Sequence, residues 1–168
     1  MSISSIMNIG QIRVECGGSL TGGSSSAYIV GSVRRDFCSA VAESFVYPIG
    51  DPSNYSPLTT SNTNGTGALT ASVTDDFLPG VPQALSLSRL WSLEGSGIMT
   101  NLTFHYVDSD VNGTETSLRV FKRSSNIPVT YHENLSNVNA AANTLTAVGV
   151  SRFSDWVGGF APFVPKKK

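Results

Sequence analysis

Short runs of β-branched and aromatic residues alternate with clusters of Gly, Asn, Asp, Ser and Pro along almost the whole sequence. Helical periodicity is nearly absent, and the only candidate helical turn lies at residues 39–43. Such runs between turn-forming residues are typical of strands. The sequence therefore predicts an all-β fold with strands at residues 11–15, 27–35, 44–47, 56–60, 68–74, 88–93, 99–106, 117–122, 129–131, 144–148 and 154–157.

This strand spacing predicts an antiparallel β-sandwich of jelly-roll or immunoglobulin-like type. A chain of 168 residues can bury one continuous core. Alternating side chains in residues 102–106 and 118–122 predict a hairpin across the loop at 108–115. The predicted core residues are Leu90, Leu93, Leu102, Phe104, Leu118, Val120, Phe153 and Trp156.

Three segments are expected along the chain. The glycine-rich stretch at residues 17–23 favours an N-terminal extension or solenoid-like strands over residues 1–26. The sandwich follows at 27–158, with a proline-rich crossover between sheets at 78–82. Residues 159–168, which end in three lysines, are predicted to form a C-terminal tail.

Charge argues against polyanionic partners. Eleven basic residues face twelve acidic ones, for a formal net charge of −1. Such a balance gives no field that would concentrate nucleic acid or an anionic membrane near the protein. No apolar run is long enough to cross a membrane, so we expect neither nucleic-acid binding nor membrane insertion.

Cys16 and Cys38 are the only cysteines. An even count permits one disulfide, but pairing depends on geometry that a sequence does not reveal. The sequence leaves the bridge open.

Residues 108–113, Asp-Ser-Asp-Val-Asn-Gly, match the first half of a calcium loop, because oxygen ligands recur at alternate positions. Arg119 stands where an EF-hand needs a bidentate acid, which excludes an EF-hand. One prediction is a smaller Ca²⁺ site formed by Asp108, Asp110, Asn112 and Glu115. The alternative is a turn in which Asn112 and Gly113 supply the positive φ angles and the aspartates cap backbone N–H groups.

No pattern in the sequence indicates catalysis. A Gly-x-Ser-x-Gly elbow and a Gly-x-Gly-x-x-Gly loop are both missing from the sequence. His105 and His132, the only histidines, have no cysteine or second histidine at ligand spacing, and we expect both to face solvent. The chain is therefore predicted not to be an enzyme.

Four aromatic residues, Tyr55, Trp91, Tyr106 and Trp156, allow two interpretations. Exposed, they would form a platform on which sugar rings stack. Buried, they would be core or cross-strand pairs, which is the commoner role of strand aromatics.

Segments 28–35, 45–57, 89–93, 101–104, 108–113 and 151–156 keep a distinctive order of glycine, proline and aromatic residues. Together they resemble a recurrent β-rich region in very large secreted and surface proteins of Bacteroidetes, Planctomycetes and related bacteria. The resemblance implies a module outside the cell, and it transfers no catalytic residue. The two cysteines depart from that pattern.

These observations lead to two functional hypotheses. The first is a non-enzymatic structural or adhesive module at the cell surface, which assembles with itself or with neighbouring domains by exchange of a terminal strand. The donor would be the Ile3, Ile6, Ile9 and Ile12 pattern or residues 160–164. The alternative is a carbohydrate-binding module of a secreted bacterial protein, with glycans as ligands.

Overall fold

The computed structural model describes residues 1–39, 41–77, 82–123, 131–133 and 136–160, with the backbone alone for 131–133 and 136. The described residues form strands and short 3₁₀ turns, with no α-helix among them. The strands are β1 (Met7–Val14), β2 (Ile29–Phe37), β3 (Glu43–Tyr47), β4 (Ile49–Gly50), β5 (Leu58–Thr74), β6 (Ser86–His105), β7 (Leu118–Arg123), β8 (Tyr131–Glu133), β9 (Ser136–Asn139), β10 (Thr144–Val150) and β11 (Asp155–Phe160). The prediction of an all-β fold is confirmed.

The strands form one 11-stranded mixed sheet in which the longest path runs β1-β2-β5-β6-β11-β7-β8. The antiparallel pair of β5 and β6 is its spine. The N-terminal half of β5 also pairs with β3, and its C-terminal half pairs with β2. In the same way β6 pairs first with β11 and then with β10, which in turn carries β9. The spine therefore has different neighbours at its two ends.

Each of the two long strands, β5 and β6, combines two strands that the sequence analysis predicts as separate. Predicted strands 56–60 and 68–74 belong to β5, and 88–93 and 99–106 belong to β6. The glycines in the middle indicate turns, but both strands continue through them. Two bulges in β5 shift the register there, between Ser61 and Asn64 and again between Gly65 and Ala68.

Four glycines lie where the two long strands bend together. A Cβ atom at Gly65, Gly67, Gly95 or Gly97 would overlap a carbonyl oxygen of the partner strand. Gly65 and Gly97 also have φ angles of 111° and 76°, which L-residues rarely adopt. These glycines let the two backbones approach closely, and we call Gly65, Gly67, Gly95 and Gly97 the glycine corner.

The buried face of β6 changes parity across the glycine corner. Before it the buried residues are Leu87, Arg89, Trp91 and Leu93, and after it they are Ile98, Thr100, Leu102 and Phe104. The two bulges do not cause this change in β6, because each places three residues of β5 opposite two of β6. The inward side of β6 changes instead at Gly95 and Gly97, where its backbone lies closest to β5. Both halves of β6 therefore face the same core, where Phe104 packs between Trp91 and Trp156.

Several sequence predictions are corrected here. β7 pairs with β11 and β8 rather than with β6, so the predicted hairpin across 108–115 is wrong: β10 and β11 occupy the edge of β6. Leu90 points to the opposite face, where it packs against Phe121 and Val157. Phe153 is only partly buried, and the other six predicted core residues are fully buried.

Three further predictions concern segment limits. Glu43 already belongs to β3, so a helical turn does not reach it, and residue 40 lies outside the described residues. Residues 78–81 of the predicted crossover and residues 129–130 of a predicted strand also lie outside the described residues. β1, within the predicted extension, pairs with β2, and β11 continues to Phe160, past the predicted sandwich end at 158.

Candidate functional site

The four residues predicted to bind calcium have separate surroundings. Asp108 accepts a hydrogen bond from the side-chain amide of Asn143, and Asn112 is exposed. Glu115 accepts a hydrogen bond of 2.7 Å from the Tyr106 hydroxyl. Burial, together with that carboxylate, raises the pKa of Tyr106 well above its usual value.

Asp110, the fourth predicted ligand, is instead part of a buried ionic cluster. Its two carboxylate oxygens accept hydrogen bonds of 2.8 Å and 3.0 Å from the Arg89 guanidinium. The third guanidinium nitrogen is paired with Asp51. Arg89 is fully buried, and Asp51 and Asp110 are 3% and 2% exposed. Calcium binding at Asp110 would have to displace this arginine.

Backbone groups complete the cluster of Arg89, Asp51 and Asp110. The second oxygen of Asp51 accepts hydrogen bonds from the backbone N–H groups of Ser53 and Asn54, at 2.6 Å and 3.0 Å. The Val107 N–H donates to Asp110 at 3.1 Å. A buried charge is tolerated when it is paired and hydrogen-bonded in this way. The cluster therefore holds the loops that contain Asp51 and Asp110 against β6, which is a structural role.

In the part of the chain that the structure describes, no three His, Cys, Asp or Glu side chains lie together as metal ligands would. Calcium binding by Asp108, Asp110, Asn112 and Glu115 thus stays a prediction. The alternative is right in part. Asp110 accepts a hydrogen bond from the Val107 N–H, as a capping aspartate would, but neither Asn112 nor Gly113 has the predicted positive φ angle.

The positions of the aromatic residues agree with the second interpretation, in which they belong to the core. Trp91, Trp156 and Tyr106 are at most 3% exposed, while Tyr55 is half-buried against Tyr28. Buried indoles offer no face to a sugar. His105, expected at the surface, is half-buried, and burial lowers its pKa. The side chain of His132 lies outside the described residues.

β1 forms one edge of the sheet, and its other side pairs with β2 in parallel. Cys16 and Cys38, just beyond the ends of these strands, form a disulfide with Cα atoms 5.8 Å apart. Arg13 and Arg34 both pair with Asp36, at 2.6 Å and 2.9 Å. Burial opposes the charged form of Asp36, but these hydrogen bonds outweigh it and lower its pKa.

Ile3, Ile9 and Ile12 contribute to the protein's own core rather than forming a free donor segment. Ile6 is 44% exposed, and Phe160 is buried within β11. The isoleucine segment and Phe160 are therefore part of the fold and not free donor segments. Residues 161–164 lie outside the described residues.

The sequence reading missed Arg89. Its signal was its position, because it alternates with Leu87, Trp91 and Leu93 on the buried face of a strand. A charged residue in such a position needs a buried partner of opposite charge.

Searches of protein-family models, of curated proteins and of solved structures found no match to this chain. None of the helical segments in the described residues is long and apolar enough to cross a membrane.

Proposed function

We propose that this chain is a non-enzymatic structural or adhesive module of an extracellular or cell-surface bacterial protein. In this proposal the sheet is a β-sandwich whose long strands β5 and β6 pass from one layer to the other. The partner is a second copy or a neighbouring domain of a larger surface protein.

The observation that carries this proposal is the parallel pairing at the N-terminal edge. Ser2 pairs with Thr21, Met7 with Ile29, and Ile29 in turn with Ile49. Each parallel partner lies about 20 residues further along the chain, which is a repeat length typical of solenoids. An edge with this geometry accepts a further strand through backbone hydrogen bonds.

The disulfide supports both the location and the mode of assembly. Disulfides form and persist in oxidising compartments, which favours the exterior of the cell. The Cys16–Cys38 bridge also holds the end of β1 beside the end of β2, and Ile3, Ile9 and Ile12 pack into the protein's own core. We therefore replace strand exchange with strand addition at the outer edge of β1.

One substitution tests the edge directly. The Met7 N–H donates to Tyr28, towards β2, so the alternation of a strand directs the Asn8 N–H outwards. Asn8→Pro removes that donor without removing a hydrogen bond to β2. Asn8→Thr keeps the N–H and is the matched control.

Size-exclusion light scattering and negative-stain electron microscopy measure the result, with and without calcium. We expect oligomers or filaments for the wild type and Asn8→Thr, and monomers for Asn8→Pro. A wild type that stays monomeric at high concentration contradicts self-assembly. Assembly of Asn8→Pro would move the contact to another edge, and assembly that needs calcium would direct attention to the Asp108 loop.

The alternative function, a carbohydrate-binding module with an aromatic platform, has less support. Trp91 and Trp156, the two indoles that would form the platform, are each 1% exposed.

A further inference from the structure

A row of small polar side chains crosses the outward face of five strands. Ser32 in β2 is paired with Ser72 in β5, and Ser72 with Ser92 in β6. Gln11 in β1 extends the row beyond Ser32, and Asp155 in β11 extends it beyond Ser92. At about 4.8 Å between strands, the row is about 19 Å long. We call these five residues the serine row.

The serine row is the floor of a trough of about 390 Å³, because serine side chains are shorter than their neighbours. Thr70 and Glu94, paired with each other in the next row, form one wall. An adjoining, mainly apolar groove shares Ser32 and Ser72 with the trough and is lined by Val30, Gly31, Pro52 and Val73. A ligand here would meet hydroxyls below, polar groups on one side and an apolar surface beside them.

The centre of the trough has free hydrogen-bonding groups, while its ends are fixed. Ser92 donates to Asp155 at 2.8 Å, and Gln11 donates to Ser32 at 3.3 Å. The side chains of Ser72, Thr70 and Glu94 have no hydrogen-bond or ion-pair partner among the described residues. Hydroxyls both donate and accept, and a carboxylate accepts. The centre therefore offers donors and acceptors that are not committed to the protein.

The charges at the centre of the trough disfavour a phosphate or another polyanion. Glu94 lines the trough without an ion-pair partner among the described residues and would repel an anion, whereas Asp155 is paired with Arg123. The arginines nearby are held in ion pairs, Arg13 and Arg34 with Asp36 and Arg123 with Asp155. An electrostatic site for nucleic acid needs uncommitted basic groups. The centre of the trough therefore favours a ligand that carries no negative charge.

The backbone excludes an extended peptide. β2, β5 and β6 each have a strand on both sides along this row, so their N–H and C=O groups are used within the sheet. Strand addition needs a free edge, and a peptide lying across the strands finds none. Only side-chain hydroxyls, one amide and carboxylates remain for recognition.

We propose that the serine row binds an uncharged oligosaccharide that lies across the strands. Sugar hydroxyls bond to Ser72, Thr70 and Glu94, and the C–H face of a ring packs towards Val30. This binding site is independent of assembly at the β1 edge, so each proposal can fail without the other.

The test is isothermal titration calorimetry with hexasaccharides of glucan, xylan, mannan and chitin, and with hexagalacturonate as an acidic probe. We expect binding to a neutral hexasaccharide. Loss of one hydrogen bond to a charged group should weaken it about tenfold or more in Glu94→Gln. Ser72→Leu, which fills the floor, should abolish binding, and Ser72→Ala should weaken it.

The matched control is Thr59→Ala. Thr59 pairs with Thr103 in the other half of the spine, so it also removes a hydroxyl from β5 but far from the trough. Its affinity should equal that of the wild type, and thermal unfolding of each variant verifies the fold. The proposal is overturned if no neutral hexasaccharide binds, if only hexagalacturonate binds, or if Thr59→Ala weakens binding as much as Ser72→Leu does.

Discussion

The indole ring of Trp91 lies 5.1 Å from the ring of Phe104, although both residues belong to the same strand. If β6 were straight, the stretch between them would measure about 43 Å. The strand must therefore fold back between them, and the glycine corner is where it does so. Contact between distant parts of one strand is how this sheet encloses a core.

A double-mutant cycle measures that contact. Trp91→Leu and Phe104→Leu each remove core volume, so each should lower the free energy of unfolding by about 2–4 kcal/mol. Because the rings touch, the double variant should lose about 1 kcal/mol less than the sum. Urea unfolding gives the values, and strictly additive losses would show that the rings do not interact.

Gly97→Ala tests the glycine corner. It forces an L-residue to φ 76° and places a Cβ atom against the carbonyl of Thr66, so we expect a loss of at least about 2 kcal/mol. Gly149→Ala has a similar φ of 68° with open space around it and should lose about 1 kcal/mol. Gly10→Ala, without either problem, should be neutral. Equal losses at Gly97 and Gly149 would mean that the close approach is unimportant.

Arg89→Met tests the buried ionic cluster. It leaves the carboxylates of Asp51 and Asp110 buried without their partner, which should cost about 3–5 kcal/mol of unfolding free energy. Adding Asp51→Asn and Asp110→Asn should recover much of the loss, because no buried charge then remains. Arg123→Met breaks a more exposed pair with Asp155 and should cost less than about 1 kcal/mol. A small effect at Arg89 would contradict the cluster's structural role.

Removal of the disulfide should destabilise the protein without rearranging the sheet. Closing a loop of this size is worth about 3 kcal/mol, which the paired variant Cys16→Ser with Cys38→Ser should lose. Thermal unfolding with and without reductant measures it. The reductant should lower the melting temperature of the wild type alone, and an effect on the variant would point to another cause.

His105 predicts a pH dependence between neutral and mildly acidic solution. Burial lowers its folded pKa, so the folded state binds this proton less readily than the unfolded chain does. The associated stability is complete above the unfolded pKa of about 6.5 and declines as the pH falls through the lowered folded value. Unfolding at pH 7.5 and 5.5 should show a smaller decline in His105→Gln than in the wild type. The same decline in both would assign it to other groups.

The sequence was informative wherever a local pattern decides the structure. Alternation around Leu102 and Phe104 placed a strand with its buried face, and the punctuation by turn residues predicted an all-β chain. The sequence was not informative where the structure depends on which strands, distant along the chain, pair with each other. Gly95 and Gly97 suggest a break between two strands, yet β6 continues through them and bends beside β5. The pattern also favours a hairpin with the next strand in sequence, because nothing local identifies β10 and β11 as the partners of β6.

The candidate sites show the same division. Asp110 sits in a calcium-like spacing, but its actual partner is Arg89, which is distant in sequence. The serine row became visible only with the register, because Ser32, Ser72 and Ser92 are ordinary residues in a serine-rich chain. Sites that sheet pairing assembles have no signature within any single segment.

The change of parity at the glycine corner determines how this chain tolerates changes of length. Deleting one residue from residues 62–67 would remove one of the two bulges in β5 and exchange the inward and outward side chains over one half of that strand. Leu69 and Ala71 would then move to the solvent side, and Thr70 and Ser72 to the interior. Over generations, genes for such a protein should therefore gain and lose codons in their loops, while the middle of the spine keeps a constant length even where its residues vary.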